Sequence, residues 1–422
     1  MPCLKGRTRL VKLKLIRRIL RQSLLPLLVL CLFVCVCHAQ NPLVMKAGTV
    51  FIGNGNVLKD VYIVMQEGKI TYIGKEYTVN PETEVINLTD KVITPGFIAA
   101  NAHMDVVKQT NEEGTEVTPQ MNLLYSVDPR AKDFEKAWRG GITCVYLAPG
   151  NLNVFSGSGT VLKTMGKTPQ DMLVQNHVHL KMVLGREPGQ GNSYPSGFGP
   201  MLLRNRRPQN RMGVVFIIRY TLTDLQNKNG VPDSELTPDE ILFRKVLQGE
   251  IPLRIRAKSY MDIKTAFRLM EEFGYRWILE GGVDAYKYLD ELEENDIPVI
   301  YGPVYQKIGR GDFNREDEKY VARTPVLLAE RGIRFAFQNN EESPIFALRD
   351  EAIYAVELGL TKDKALKALT LDAARILGVE NRLGSVAKGK DADLLVFDGD
   401  PFEPSSSLLN VIIDGKVFDP NK

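Results

Sequence analysis

Cysteine and histidine are scarce in this chain of 422 residues. Of its five cysteines, Cys3, Cys31, Cys35 and Cys37 crowd into the N-terminal segment, leaving Cys144 alone in the body. A single thiol forms neither an internal disulfide nor a cysteine zinc cluster. Its setting, Ile142-Thr143-Cys144-Val145-Tyr146, reads as a buried strand in which Cys behaves as a small hydrophobe. The body has three histidines, His103, His177 and His179. No Gly-rich phosphate loop, catalytic Ser elbow or Cys/His pair is evident, so those nucleotide-binding and nucleophilic chemistries have no support. The two tryptophans, Trp138 and Trp277, stand at helical and strand positions and read as core.

The chain also lacks an apolar run long enough to span a bilayer, which takes about 20 residues. Leu24 to Cys37, the nearest approach, has the length of a signal-peptide core. Eight basic side chains and no acid precede it (Lys5, Arg7, Arg9, Lys12, Lys14, Arg17, Arg18 and Arg21). Cys37-His38-Ala39 ends in a residue small enough to precede a cut, which would leave Gln40 as the N-terminus. Residues 1–39 are therefore expected to export the protein to a periplasmic or secreted location, the alternative being an uncleaved membrane anchor. A lipid-modified Cys35 or Cys37 is disfavoured by Val34 and Val36, where small residues are wanted. Without the eight basic residues the formal charge of +3 becomes −5, which argues against a nucleic-acid partner.

What is present is a globular composition, 44% apolar and 25% charged, at a length suiting one large α/β domain or two smaller ones. Both ends of the mature chain are β-rich. Val50–Ile52, Val61–Met65 and Lys69–Ile73 are short strands punctuated by Gly53, Gly55, Gly68 and Gly74, with a hairpin at Gln66-Glu67-Gly68-Lys69. Asp393–Phe397 and Asn410–Asp414 repeat the pattern, the latter followed by a turn at Asp414-Gly415-Lys416. The simplest arrangement pairs the two ends as one small β-sandwich domain, residues 40–94 with 382–422.

Between them, residues 95–381 alternate apolar runs with helical patterns. The expected strands are Phe97–Ala102, Thr143–Leu147, His179–Leu184, Leu253–Ala257, Trp277–Glu280, Pro298–Tyr301 and Arg334–Phe337. Helices are expected at Asp262–Phe273, Asp284–Glu294 and Pro344–Gly359. Thr361 and Thr370 stand as N-caps, and Gly378 stands where a helix stops. Repeated βα units over about 285 residues suit a (β/α)8 TIM barrel, an α/β fold whose active face would be lined by loops such as Gly185–Gln209.

Two end motifs carry a resemblance. Val92-Ile93-Thr94-Pro95-Gly96-Phe97-Ile98-Ala99-Ala100-Asn101-Ala102-His103-Met104-Asp105 resembles the first barrel strand of the metal-dependent amidohydrolase superfamily. Gly384-Ser385-Val386-Ala387-Lys388-Gly389-Lys390-Asp391-Ala392-Asp393-Leu394-Leu395-Val396-Phe397-Asp398 is equally typical of it. Ala148-Pro149-Gly150-Asn151, Arg211-Met212-Gly213 and Gly302-Pro303 resemble its imidazolonepropionase-like branch. The resemblance covers nearly all of Leu43–Asp419. It implies a hydrolase of amide, lactam or similar C–N bonds, using water activated by one or two divalent metals. The implied ligands are a His-x-His pair on the first strand, a carboxylate or modified Lys on a middle strand, one His on each of two later strands, and a final Asp.

At those positions the chain departs from the pattern. The His-x-His pair reads Asn101-Ala102-His103, and an amide is a poor zinc ligand. Arg256 and Lys258 stand where one later strand carries His, Gly281 stands at the next His, and Asn340 replaces the Asp. The Gly-Glu-Asn-Pro of relatives reads Gly185-Arg186-Glu187-Pro188, with Glu187 displaced by one position. Only His103 is intact. A guanidinium 4 Å from a dication would cost roughly 8 kcal/mol at an effective dielectric near 20, and Arg256 cannot escape by losing its proton.

The expectation is therefore a catalytically degenerate amidohydrolase-like protein without a cofactor. It would bind a small anionic or sugar ligand, or act as a homo-oligomer or as partner to an active relative. The alternative is a working hydrolase with an atypical site around His103 and a single divalent metal such as zinc. A pocket of Asn101, His103, Arg256, Lys258 and Asn340 suits an anion; equally, Arg256 and Lys258 fill the metal volume and pair with Glu280 or Glu187. His177-Val178-His179 would aim both rings to one face if extended, but Lys181 shares that face, and a polar strand entry is preferred. Arg204-Asn205-Arg206-Arg207 reads as a solvated loop cluster, and Asn87-Leu88-Thr89 fits a glycosylation sequon.

Overall fold

Alternation of side chains along short strands sorts the sequence into layers. The computed structural model describes residues 41–104, 106, 110–112, 114–189, 206–304, 321–339 and 344–422. The targeting segment, Asp105, Arg204, Asn205, Asn340 and the middle of the Gly185–Gln209 loop lie outside these residues.

The chain ends do pair. Strands β1 (Leu43–Phe51), β2 (Val57–Gln66), β3 (Lys69–Gly74) and β4 (Val85–Pro95) join β15 (Leu394–Phe397), β16 (Leu408–Ile413) and β17 (Lys416–Phe418) in one sheet. Its order is β17-β16-β15-β4-β1-β2-β3, with β4 antiparallel to β15 where Thr94 faces Leu395. The expected sandwich is thus observed as one seven-stranded sheet. Met45, Ala47, Val50, Ile63, Ile93 and Leu394 belong to the apolar cluster it buries. The hairpin between β2 and β3 turns through Glu67 and Gly68, and that between β16 and β17 through Asp414 and Gly415. All four have positive φ, the requirement of a tight primed turn.

The middle is mixed α/β. Strands β5 (Phe97–Ala99), β6 (Ile142–Leu147), β8 (Thr160–Lys163) and β9 (Leu173–Gln175) form one sheet. A second runs β14 (Phe335–Phe337), β13 (Val299–Tyr301), β12 (Trp277–Gly281), β11 (Leu253–Ala257), β10 (Leu180–Val183) and β7 (Phe155–Ser158). In this second sheet every pair from β10 to β14 is parallel. Among the described residues, hydrogen bonding does not close the two sheets into a ring. All seven expected strands are present, the first ending at Ala99 rather than Ala102, whereas β7, β8 and β9 were not foreseen because each holds only one or two apolar residues. The helix expected from Asp284 begins at Leu289, after a short 3-10 turn over Ala285–Lys287. Thr361 caps its helix as expected, but the Thr370 hydroxyl donates backwards to the Leu366 carbonyl at 2.6 Å.

Parity along each strand decides what faces where. Leu253, Ile255, Ala257, Trp277, Leu279, Val299, Phe335 and Phe337 join the large apolar cluster that also contains the helices, while Ile278, Ile300, Ala336, Cys144 and Tyr146 form another. Cys144 is fully buried, with its thiol pushed up to about 12 by burial, so it is inert packing. Charged residues take further places on that inward face, beside Val183.

The terminal sheet is locked to the middle by charge. Lys163, at the end of β8, is 2.6 Å from Asp393 and 3.1 Å from both Asp391 and Asp414. Asp391 also meets Lys69 and Arg382. The three aspartates outweigh burial and hold the Lys163 ammonium above its usual range. Removing one member of a buried ion cluster leaves uncompensated charge and typically costs about 3–5 kcal/mol. Lys163→Met is therefore expected to lower unfolding free energy by about 3 kcal/mol in urea titrations. A loss below about 1 kcal/mol would show that the cluster does not hold the two parts together.

Candidate functional site

Register builds the site. In the second sheet Lys181 of β10 pairs with Arg254 of β11, Arg254 with Ile278, and Arg256 with Glu280 of β12. Paired residues in a parallel sheet share a face, so Lys181, Arg254, Arg256 and Glu280 all point inward. Glu280 is completely buried and serves as the hub. Arg254 Nε donates to its Oε2, Arg256 Nη1 to its Oε1 at 3.3 Å, and Lys181 Nζ lies 3.6 Å away. Burial opposes its charge, but these three cations outweigh that and keep its carboxyl well below the ordinary range.

A second carboxylate caps the cluster. Glu187, just past β10, takes Arg256 in a two-pronged bond, Nε to Oε2 at 2.5 Å and Nη2 to Oε1 at 3.0 Å. Lys258 Nζ approaches the same carboxylate at 2.9 Å. Burial pushes the Glu187 carboxyl up, yet Arg256 and Lys258 bring it down to about 2. A fork onto a carboxylate is the strongest geometry that a guanidinium offers. Lys258 is the outermost cation, with 43% of its side chain exposed.

Four cations and two carboxylates leave positive charge in surplus among these residues. Lys181 registers it: burial lowers its ammonium to about 8, with Arg256 and Arg254 adding to the fall against the pull of Glu280. Its Nζ donates to the Pro149 carbonyl at 2.9 Å. Deeper still, the Arg254 guanidinium lies 4.0 Å from the centre of the Tyr146 ring and donates to the Ala100 carbonyl at 2.9 Å. Tyr146 lies on β6 of the other sheet and Ala100 just past its β5, so both sheets face one interior.

The first-strand residues form a separate amide cluster. Asn101 Nδ2 donates to Gln338 Oε1 at 3.0 Å and lies 3.4 Å from His103 Nε2. The His103 backbone N–H donates to Asn339 Oδ1, and Asn339 Nδ2 returns a bond to the His103 carbonyl, each at 3.3 Å. Gly281 ends β12 at φ +90°, where an L side chain rarely sits, and an added Cβ would lie 3.5 Å from Lys258 Cγ. Of the expected site residues, Glu187, Arg256, Lys258 and Gly281 therefore cluster at the ends of β10 to β12. Asn101 and His103 pair with each other, and Asn340 lies outside the described residues. Among the described residues no three His, Cys, Asp or Glu side chains group as a metal cluster would.

The polar strand entry preferred for His177 is observed, while Arg206 of the basic loop is engaged by the chain rather than solvated. His177 has φ +51° and is exposed, bonding Ser158 Oγ through Nδ1 at 2.7 Å. His179 is buried 5.8 Å from the Tyr146 ring, with burial and then Arg254 lowering its imidazole to about 3. The left-handed turn breaks the extended geometry that would have aimed both rings together. In the basic loop, Arg206 donates to the Thr115 carbonyl at 2.8 Å and to Asn153 Oδ1, while Arg207 pairs with Glu116 at 2.8 Å. Sequence reasoning missed Arg254, which strand parity places on the face of Arg256.

The Amidohydrolase family profile matches residues 332–418. The crystal structure of an amidohydrolase from Thermotoga maritima superposes with a TM-score of 0.78 at 30% identity, covering 89% of this chain and 100% of that one. An imidazolonepropionase from Fusobacterium nucleatum is 22% identical over 80% of this chain and 84% of its own length. The protein named Amidohydrolase tasK of Hapsidospora irregularis is 21% identical over 84% of this chain, which spans 39% of that longer protein.

The surplus charge has a measurable signature. The Lys181 ammonium sits near 8 when folded and near 10.5 when unfolded. The unfolded chain then binds more protons between those values, so stability rises as pH climbs through them. Lys181→Met is expected to raise unfolding free energy by roughly 1–3 kcal/mol at pH 7, a gain that fades between pH 8 and 10.5. A destabilised variant at pH 7 would mean that Lys181 is a net favourable partner of Glu280.

Proposed function

The chain belongs to the amidohydrolase superfamily, in its imidazolonepropionase-like branch, and we propose that it is a catalytically degenerate member that binds a small anion without hydrolysing it. On this reading the two inward-facing sheets are the halves of the superfamily's (β/α)8 barrel, and the cluster at the ends of β10 to β12 fills its metal volume. The observation that carries the proposal is the fork of Arg256 on Glu187, joined by Lys258. These cations stand on the strand where the superfamily's His ligand is expected.

The superfamily's divalent metal does not fit the donors present. Asn101 directs its NH2 at Gln338 and toward His103, so a donor faces the place where a lone pair would be needed. A dication added here would meet Arg256 and Lys258, and both Glu187 and Glu280 already face cations. No hydrolytic step is derived through it.

An anion fits better. A carboxylate or phosphate would share Lys258 with Glu187 and draw on the surplus positive charge behind it. A sugar offers no such charge. Among the described residues, no helix is long and apolar enough to cross a membrane, and export through residues 1–39 remains part of this proposal. The similar proteins named as an imidazolonepropionase and amidohydrolases favour a second reading, a working C–N hydrolase around His103.

Inorganic phosphate at millimolar concentration is expected to raise the melting temperature by a few degrees, and Lys258→Ala to abolish the shift. No shift, or an equal one in the variant, would remove the anion reading. Turnover of lactam or amide substrates lost in His103→Ala would establish the second reading.

A further inference from the structure

The parallel strands have a second edge. Glu187, Lys258 and Gly281 stand at the far ends of β10 to β12, whereas Asp296 stands shortly before β13 and Arg334 directly before β14. The two groups therefore lie at opposite edges of the sheet. At the starting edge a cleft of about 260 Å3 opens between the turn leading into β14 and the helices Lys362–Leu369 and Leu371–Ile376. Charge dominates its walls. Arg334, Lys364, Lys367 and Arg375 line it, together with Asp296 and Asp372. Two of these cations are committed, Lys367 to Asp363 at 3.0 Å and Arg375 to Asp372 at 3.2 Å. Among the described residues, the side chains of Arg334 and Lys364, both half-buried, have no partner, and neither has the exposed Asp296. A half-buried cation gives up part of its hydration, and here no carboxylate of the chain offsets that loss.

We propose that this cleft binds a small amino dicarboxylic acid, at a site separate from the interior ion cluster. Two unpaired cations and one unpaired carboxylate complement a molecule that carries two carboxylates and one ammonium. The Arg334 guanidinium offers a planar fork to one carboxylate, and Lys364 a point charge to the other. Asp296 accepts from the ammonium. Inorganic phosphate has no ammonium to give and would meet Asp296 uncompensated, so the cleft selects against it. The walls come from two different parts of the chain, which suits a ligand with charge at both ends. The volume falls just below the roughly 300–1,000 Å3 of sites for drug-sized ligands, so the occupant is small. The proposal is independent of what the interior binds.

Isothermal titration calorimetry of the full chain tests it, with L-aspartate as the probe and succinate, which lacks the ammonium, as the comparison. L-Aspartate is expected to bind with a Kd below about 1 mM, and succinate about 10-fold more weakly or worse. Arg334→Ala and Lys364→Ala are each expected to weaken L-aspartate by about 10-fold or more. Asp296→Asn is expected to erase the preference for L-aspartate over succinate, a change of selectivity that misfolding would not produce. Lys258→Ala is expected to leave the affinity for L-aspartate as it is. No binding heat with L-aspartate at up to about 10 mM would overturn the proposal. Equal affinity for succinate in the wild type would overturn it as well. So would binding that survives Arg334→Ala and Lys364→Ala but disappears in Lys258→Ala, because the ligand would then sit at the interior cluster.

Discussion

Glu280 is the residue on which the interior depends. A carboxylate with no solvent exposure survives only if cations surround it, and Lys181, Arg254 and Arg256 do so from neighbouring strands. Lys181 and Arg254 depend on Glu280 in turn, whereas Arg256 has Glu187 as a second carboxylate. The ion cluster is thus a mutual commitment: the strands align in the register that brings opposite charges together, and the charges are tolerable only in that register. Arg256 then extends outward to Glu187, and Glu187 to Lys258, so the network runs from the buried centre to the solvent edge.

On the proposed reading, this network stands in place of a metal centre. A dication in a barrel gathers neutral imidazoles and carboxylates that retain free lone pairs. Here the lone pairs near the strand ends point at guanidinium and ammonium groups, and the surplus of charge is positive without any ion added. On the proposed reading, the same surplus is what draws an anion to the solvent edge at Lys258. It also explains why Lys181, the most deeply buried ammonium of the set, loses proton affinity while its carboxylate neighbours gain acidity.

Much of the fold is legible because the rules that govern it are local. Parity along β11 and β12 separates Leu253, Ile255 and Leu279 from Arg254, Arg256 and Glu280, and positive-φ turns at Glu67-Gly68 and Asp414-Gly415 stand at readable sequence signals. The pairing of both chain ends follows from their shared β character. What the sequence conceals is longer in range or shorter in period. Strands β7 to β9 hold only one or two apolar residues each and show no apolar run. His177 looks like the partner of His179 until a left-handed backbone separates them. The partner choice of Lys163 depends on residues more than two hundred positions away, which no local pattern reports. At the site, Arg256, Lys258 and their partners Glu187 and Glu280 could be read from the sequence, whereas the buried Arg254 emerged only from strand register.

The central proposal is that this ion cluster, not a metal, occupies the interior between the two sheets. Elemental mass spectrometry of the purified full chain, grown with excess zinc and manganese, tests it most directly. The account predicts less than about a tenth of an equivalent of either metal per chain. Near-stoichiometric zinc or manganese, lost on Asn101→Ala or His103→Ala, would contradict it.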